Sequence, residues 1–192
     1  MTRMEPLPIE NSPPEMRDAL AAMTPARHQR SPTGDSRRQG ANILGALAHH
    51  PALAKAFFTL NGHLLRATTL TPRQRELVIL RTAVLRQSSY EWAQHIFLAR
   101  EAGLTDLEIA WIAWGPAAPN WDELDASVLR AVGELDRDGS IADETWTVLA
   151  DHLDPRQILD VIFTAGTYTT IAWMAKSLGV DLADDLRESL LE

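Results

Sequence analysis

Residues 71–103 read TPRQRELVILRTAVLRQSSYEWAQHIFLAREAG, and the punctuation of that string decides the fold. Thr71-Pro72-Arg73-Gln74 is a helix start. It supplies a hydroxyl to cap, a proline whose missing N–H is no loss in the first turn, and a glutamine placed to bond back to the cap. The helix it opens, RQRELVILRTAVLRQ, sets Leu77, Leu80 and Val84 on one face at helical spacing. A second helix is expected from about Ser89 to Ala102. It stops at Gly103, the residue type best suited to the left-handed conformation that ends helices.

The same grammar recurs outward from there. Thr105-Asp106-Leu107-Glu108 is a capping box that opens a helix to about Trp114. Upstream, Ala41–His50 and Ala52–Arg66 are apolar-periodic segments parted by Pro51, which cannot sit in a helix interior. Downstream of the connector Gly115-Pro116-Ala117-Ala118-Pro119-Asn120, helices are predicted over Asp122–Asp136, Ile141–His152 and Pro155–Leu178. A short helix over Pro14–Met23 and a tail helix after Asp181 complete the set. No stretch alternates with the period of two that a strand requires, so the expected fold is all-α.

Asp154-Pro155-Arg156-Gln157 repeats the pattern at Thr71 and predicts a faint internal repeat, two similar helical hairpins about a pseudo-twofold. Leu159, Met174 and Leu178 then fall opposite Glu76, Glu91 and His95, so the polar groups belong to the first copy alone.

The chain has 192 residues, 45% of them hydrophobic and 23% charged, which is the composition of a globular protein rather than a disordered one. Prolines crowd its first part. Residues 1–40 read as an N-terminal extension or arm that carries Arg27, Arg30, Arg37 and Arg38; residues 41–192 read as one helical domain with its core motif at 73–104. The arm is either a solvated loop or a segment that packs on a neighbouring subunit and lends an arginine to an acidic ligand. A net charge of −8 disfavours nucleic acid and anionic membranes as partners. No uninterrupted apolar run approaches the roughly 18 residues of a membrane span. MTRMEPLPIENSPPEM has no signal-peptide core. A soluble, cytoplasmic protein is expected. There is no cysteine, which removes disulfides, thiolate nucleophiles and Cys-ligated metals together.

The residues that carry chemistry lie between Glu76 and His95. Glu91 and His95 are four apart and share a helix face, with Ser88 three before Glu91. Glu76 sits on the preceding helix, which must pack against this one to bury its apolar stripe. Tyr90, Trp92, Ile96, Phe97 and Leu98 make the second helix apolar around most of its circumference, so Glu91 and His95 are expected to be buried. A carboxylate beside an imidazole fixes its tautomer and raises its basicity, as a general base near neutral pH requires. The competing reading is an ordinary surface pair one turn apart.

RQRELVILRTAVLRQSSYEWAQHIFLAREAGLTDLEI, with the approach PALAKAFFTLNGHLLRATTL, resembles the core of the carboxymuconolactone decarboxylase family, within the alkylhydroperoxidase-like superfamily. The resemblance covers about residues 40–115 well and the C-terminal half more loosely. In the peroxidase branch a Glu precedes a Cys-x-x-Cys-x-x-x-His motif. Here Glu76 keeps the Glu position, Ser88 and Glu91 stand where the two cysteines would be, and His95 is the histidine. A chain without cysteine cannot run a thiol peroxidatic cycle. The Glu-x-x-x-His form is instead like the decarboxylase branch, which works without a cofactor on lactone acids by proton transfer beside a carbonyl. The resemblance therefore implies an all-helical homo-oligomer (dimer, trimer or hexamer) with sites near subunit interfaces. It implies a small lactone or carbonyl acid as substrate. His95 and Glu91 become acid/base residues, and Glu76 a carboxylate that orients His95 or relays a proton. The alternative function is a non-catalytic helical oligomer that binds a ligand on the same scaffold.

Ser88, Tyr90, Tyr168 and Arg81 are the candidate substrate-binding residues, Tyr168 because a buried hydroxyl wants a partner and Arg81 as a clamp for a substrate carboxylate. No metal is expected, since Glu91 and His95 make only half a site. His49 and His50 read as caps on the C-terminus of the helix before them, and His63 as a lone histidine that can face the same cavity. Trp111, Trp114, Trp121 and Trp146 read as core or interface residues. Gly166 reads as a point of close helix approach.

Overall fold

A computed structural model of the chain describes residues 14–22 and 41–180. The predicted arm over residues 24–40 and the tail helix after Asp181 lie outside the described residues. Every regular element among the described residues is a helix. In chain order they are α1 (Pro14–Ala22), α2 (Ala41–Leu47), α3 (Pro51–Arg66), α4 (Pro72–Leu85), α5 (Ser89–Glu101), α6 (Asp106–Trp114), α7 (Glu123–Asp138), α8 (Asp143–His152) and α9 (Pro155–Leu178).

The described residues pack as two compact units. Among the described residues, one unit joins 14–22 and 41–67 with 175–180; the other is residues 68–174. In the first, α1 packs on α3, and Met16, Ala54, Phe58 and Leu64 are buried. The helix predicted over Ala41–His50 ends earlier, at Leu47. His50 does not cap its C-terminus. It is the N-cap of α3 instead, its Nδ1 accepting from Leu53 N–H at 3.3 Å, because Pro51 starts the next helix one residue later.

In the second unit α4 is the central element and packs on α5, α6 and α7. Leu77, Val78, Ile79 and Leu80 are all fully buried, so α4 is covered on every side, a wider apolar surface than the predicted single stripe. Leu77, Val78 and Leu80 share one core with Ile96, Ile112, Val128, Leu129, Leu149 and Val161. The predicted caps form. Thr71 and Gln74 exchange both bonds of a capping box, as do Thr105 and Glu108, and Asp154 and Gln157 do the same at α9. Asp160 of α9 accepts from both hydroxyls of Thr68 and Thr69 at 2.8 Å and from Thr69 N–H at 2.6 Å, which ties α9 to the entrance of α4. Glu134 of α7 accepts from Ala142 N–H and the Thr145 hydroxyl, a carboxylate set at the positive end of α8.

The internal repeat does not extend to a second hairpin. Where the first copy turns at Arg86–Ser88, α9 runs on unbroken for 24 residues. It is long and apolar enough to cross a membrane by length and composition, with 56% of its most apolar window buried within the protein. That burial, the Asp160 anchor and the contribution of Ile158, Val161 and Ala165 to the core are those of a core helix.

Gly166 also departs from expectation. A Cβ there would meet nothing within 4 Å, so it makes no close helix approach. Gly166→Ala is expected to raise the unfolding free energy by roughly 0.5–1 kcal/mol, the helix-propensity difference, with no steric offset. The measurement is the urea midpoint at unchanged slope; a lower midpoint would show that the space beside Gly166 is filled in solution.

Candidate active site

The turn between α4 and α5 creates the site. Gln87 N–H donates to Val84 O at 3.0 Å and Ser88 N–H to Ala83 O at 2.8 Å, the paired bonds that close a helix C-terminus. Gln87 adopts φ +52°, a left-handed position that costs an L side chain roughly 1–2 kcal/mol. The chain thereby turns within Arg86–Ser88 and lays α5 against α4. Ser88 is the N-cap residue of α5, yet its side chain makes no capping bond.

Three polar side chains from α4 and α5 are then buried together with a tyrosine from α9. Glu76 is 0% exposed; its Oε2 lies 2.7 Å from His95 Nδ1, and its Oε1 accepts from Arg75 Nε at 2.9 Å. With both carboxylate oxygens accepting, Nδ1 carries a proton and Nε2 is left as the basic ring nitrogen. The tautomer is assigned from this pattern. Spacing within α5 pairs Glu91 with His95, but the hydrogen bond goes to Glu76, because the facing helix aims its carboxylate at the ring nitrogen.

Glu91 is 2% exposed, and neither of its carboxyl oxygens has a hydrogen-bond partner. Burial without a counter-ion pushes its pKa up to about 8, and the neighbouring Ser88 hydroxyl offsets part of that rise. The Ser88 hydroxyl itself is buried and outside regular hydrogen-bond geometry. Tyr168 sets its ring edge-to-face on His95, centroids 5.0 Å apart at 85°. Burial first, and the negative charges of Glu76 and Glu91 next, hold its pKa well above the usual phenol value, so the hydroxyl stays neutral. The arrangement is an imidazole oriented by a buried carboxylate, with neutral O–H groups beside it.

Other candidates fall elsewhere. Arg81 donates to the carbonyls of Ile112 and Ala113 at 3.0 and 3.2 Å, satisfying the end of α6. Its guanidinium also packs on Gly115, where a Cβ would lie 2.8 Å from Nη2 and φ is +96°. The expected carboxylate clamp is therefore a helix-terminus contact. Tyr90 is buried in the first turn of α5. His63 is exposed and belongs to the other unit. Trp121 packs edge-on to Trp111 and donates to Gly115 O at 3.2 Å, whereas Trp114 is 74% exposed. Among the described residues no three His, Asp or Glu side chains gather as a metal site.

Sequence reasoning did not find Arg75, whose bond to Glu76 joins neighbouring residues and carries no periodic signal. It also missed a cavity of about 310 Å³ lined by Thr82, Val132, Gly166, Trp173 and the Arg86–Asp136 ion pair. None of Glu76, Glu91 or His95 lines it. A shallower depression of about 290 Å³ is lined by Gln87, Ser88, Ser89 and Trp92, and brings solvent to the Ser88 side of the cluster.

Known proteins place this geometry in context. The chain resembles three solved structures at identities that speak for the fold alone. The alkylhydroperoxidase AhpD core structure of an uncharacterized peroxidase-related protein from Ralstonia eutropha is 17% identical, with a TM-score of 0.76, covering 96% of this chain and 94% of that one. An uncharacterized peroxidase-related protein from Silicibacter sp. is 16% identical, with a TM-score of 0.69 and 97% coverage of both chains. A protein of unknown function from Agrobacterium tumefaciens is 18% identical, with a TM-score of 0.66, covering 71% of this chain and 94% of its own. No curated protein matches the sequence. The sequence profile of one family matches residues 51–134, a span that contains α4, the turn, α5 and the Glu76–His95 pair. That profile is the one for the carboxymuconolactone decarboxylase family, and the chain is similar to the family over those residues.

Proposed function

We propose that the protein is a cofactor-independent proton-transfer enzyme, a decarboxylase or isomerase acting on a small lactone or carbonyl acid, with His95 as the group that moves the proton. The buried 2.7 Å contact between Glu76 Oε2 and His95 Nδ1 carries this reading. It holds the ring in one tautomer and balances the imidazolium that forms when Nε2 accepts a proton. In isomerisation Nε2 takes a proton from the carbon beside the carbonyl, the C–H electron pair forms the enolate, and the same proton returns to a different carbon. In decarboxylation Nε2 first takes the proton of the substrate's carboxyl group; the C–C electron pair then forms the enolate as carbon dioxide leaves, and the imidazolium returns that proton to the carbon. Two further features suit the family's habits. Leu159, Phe163 and Trp173 form an exposed apolar stripe on α9 that fits a homo-oligomer contact, and the acidic, cysteine-free composition suits a cytoplasmic enzyme.

One observation favours the non-catalytic alternative. His95 is only 6% exposed in the single chain, so substrate must enter by displacing side chains on the Ser88–Trp92 side. The orphaned Glu91 argues the other way, because a scaffold kept only for packing gains nothing from a buried carboxyl with no partner. The test is solvent deuterium exchange into small lactones and β-keto acids, followed by NMR. Wild type should catalyse exchange or carbon dioxide release, and His95→Ala should lower the rate by at least ~100-fold while the circular dichroism is unchanged. Equal rates for both proteins would refute the assignment.

A further inference from the structure

We propose that Glu91, Ser88 and Tyr168 form a neutral hydrogen-bond-donor pocket for an enolate oxygen, so that the part of the substrate enclosed there is an uncharged, enolisable ketone, ester or lactone carbonyl. This deepens the proton-transfer reading of His95 and rests on it. Glu91, with both oxygens unpartnered and 2% exposure, has its charged form disfavoured by desolvation, which leaves a carboxylic acid with an O–H to donate. The Ser88 hydroxyl is buried beside Glu91 and makes no hydrogen bond of regular geometry. Tyr168 reaches the same cluster from α9, its ring against His95 and its hydroxyl held neutral by burial first and by the charge of Glu76 next.

Arg75 and His95 both donate to Glu76, so the local cation is already engaged and a substrate carboxylate would meet Glu76 without compensation. Neutral donors have the opposite property. They bind a carbonyl oxygen weakly and the developing enolate strongly, which is the differential that accelerates proton abstraction. A phenol and a protonated carboxyl side by side are one known way to build such a pocket. In the step itself, Nε2 of His95 takes the proton on the carbon beside the carbonyl. The C–H pair becomes the new C=C bond, and the carbonyl π pair moves to the oxygen held by Glu91, Ser88 and Tyr168.

Binding of 4-nitrophenol tests this without any turnover, because its phenolate mimics an enolate and absorbs apart from the neutral phenol. Wild type should bind the phenolate near neutral pH, with affinity falling at alkaline pH as Glu91 ionises and repels it. Glu91→Ala and Tyr168→Phe should each weaken binding by roughly 10-fold or more, the loss of one charge-assisted bond. Glu91→Gln keeps a donor, so it should retain near-wild-type affinity and lose the alkaline fall. The proposal is overturned by no phenolate binding to wild type, by equal binding in all variants, or by tighter binding in Glu91→Ala. Phenolate binding that follows this pattern stands even if His95→Ala exchanges deuterium as fast as wild type, so the two failures are separable.

Discussion

Glu91→Gln is expected to be more stable than wild type by about 3–5 kcal/mol at pH 8 and above, with almost no difference near pH 4.5. The sign follows from which state holds the proton. In the folded protein the Glu91 pKa is pushed up to about 8 from an ordinary value near 4.5. Between those limits the unfolded chain has released its proton and the folded chain has kept it, so folding takes up a proton and stability falls as pH rises. Below the lower limit both states are protonated and the site contributes no difference. Above the upper limit both are ionised, and the full penalty of an unpaired buried carboxylate remains. Glutamine has nearly the same shape and no titration. Urea unfolding of both proteins across this window should give a wild-type stability that declines with pH relative to the variant. Parallel pH profiles would show that Glu91 is solvated or ion-paired in solution. The same substitution should leave the orientation of His95 intact, because Glu76 holds that ring.

Glu76→Ala is expected to lower stability by about 3–5 kcal/mol, the usual cost of removing one partner from a buried charged network. The side chain is 0% exposed and receives a bond on each oxygen, so its loss strands the buried His95 N–H, takes one partner from Arg75 and opens a void between α4 and α5. For a chain of this length the melting temperature should fall by roughly 10 °C. Glu76→Gln should cost less, since the amide oxygen still accepts one of the two bonds. It should nevertheless disturb the tautomer of His95, which NMR of the ring nitrogens reports directly. A loss of less than about 1 kcal/mol in Glu76→Ala would mean that the pair is hydrated in solution.

Much of the fold was legible because it is written in local chemistry. Thr71 with Gln74, Thr105 with Glu108 and Asp154 with Gln157 close their boxes within four residues, and Gly103 at φ +88° ends α5 where the sequence placed the stop. The expectation that Glu91 and His95 are buried came from the apolar residues around them and needed no partner to be known. Errors arose where a local signal had two outcomes. His50 beside Pro51 suits the end of one helix or the start of the next, and the proline chose the second. The repeat at Asp154 matched the start of α4 but carried no information about a turn 14 residues later, where α9 continues unbroken. Gln87 has no residue-level signal for a left-handed backbone; packing of α5 on α4 imposes it.

By itself the sequence determined the helical elements, their caps and the identity of the polar residues on α4 and α5, because hydrogen bonds between near neighbours and helical periodicity require only short-range information. It also determined, through the absence of cysteine, that no thiol is available to the site. Only the tertiary structure decided which carboxylate holds the imidazole. Glu76 and His95 are nineteen residues apart, and the turn at Gln87 brings one against the other. The same packing left Glu91 without a partner and set Tyr168 beside His95. It also fixed Arg81 to the end of α6. Desolvation is a property of the assembled core and is not encoded at any one position. It is what turns two glutamates of the same chemistry into an orienting carboxylate and a neutral acid.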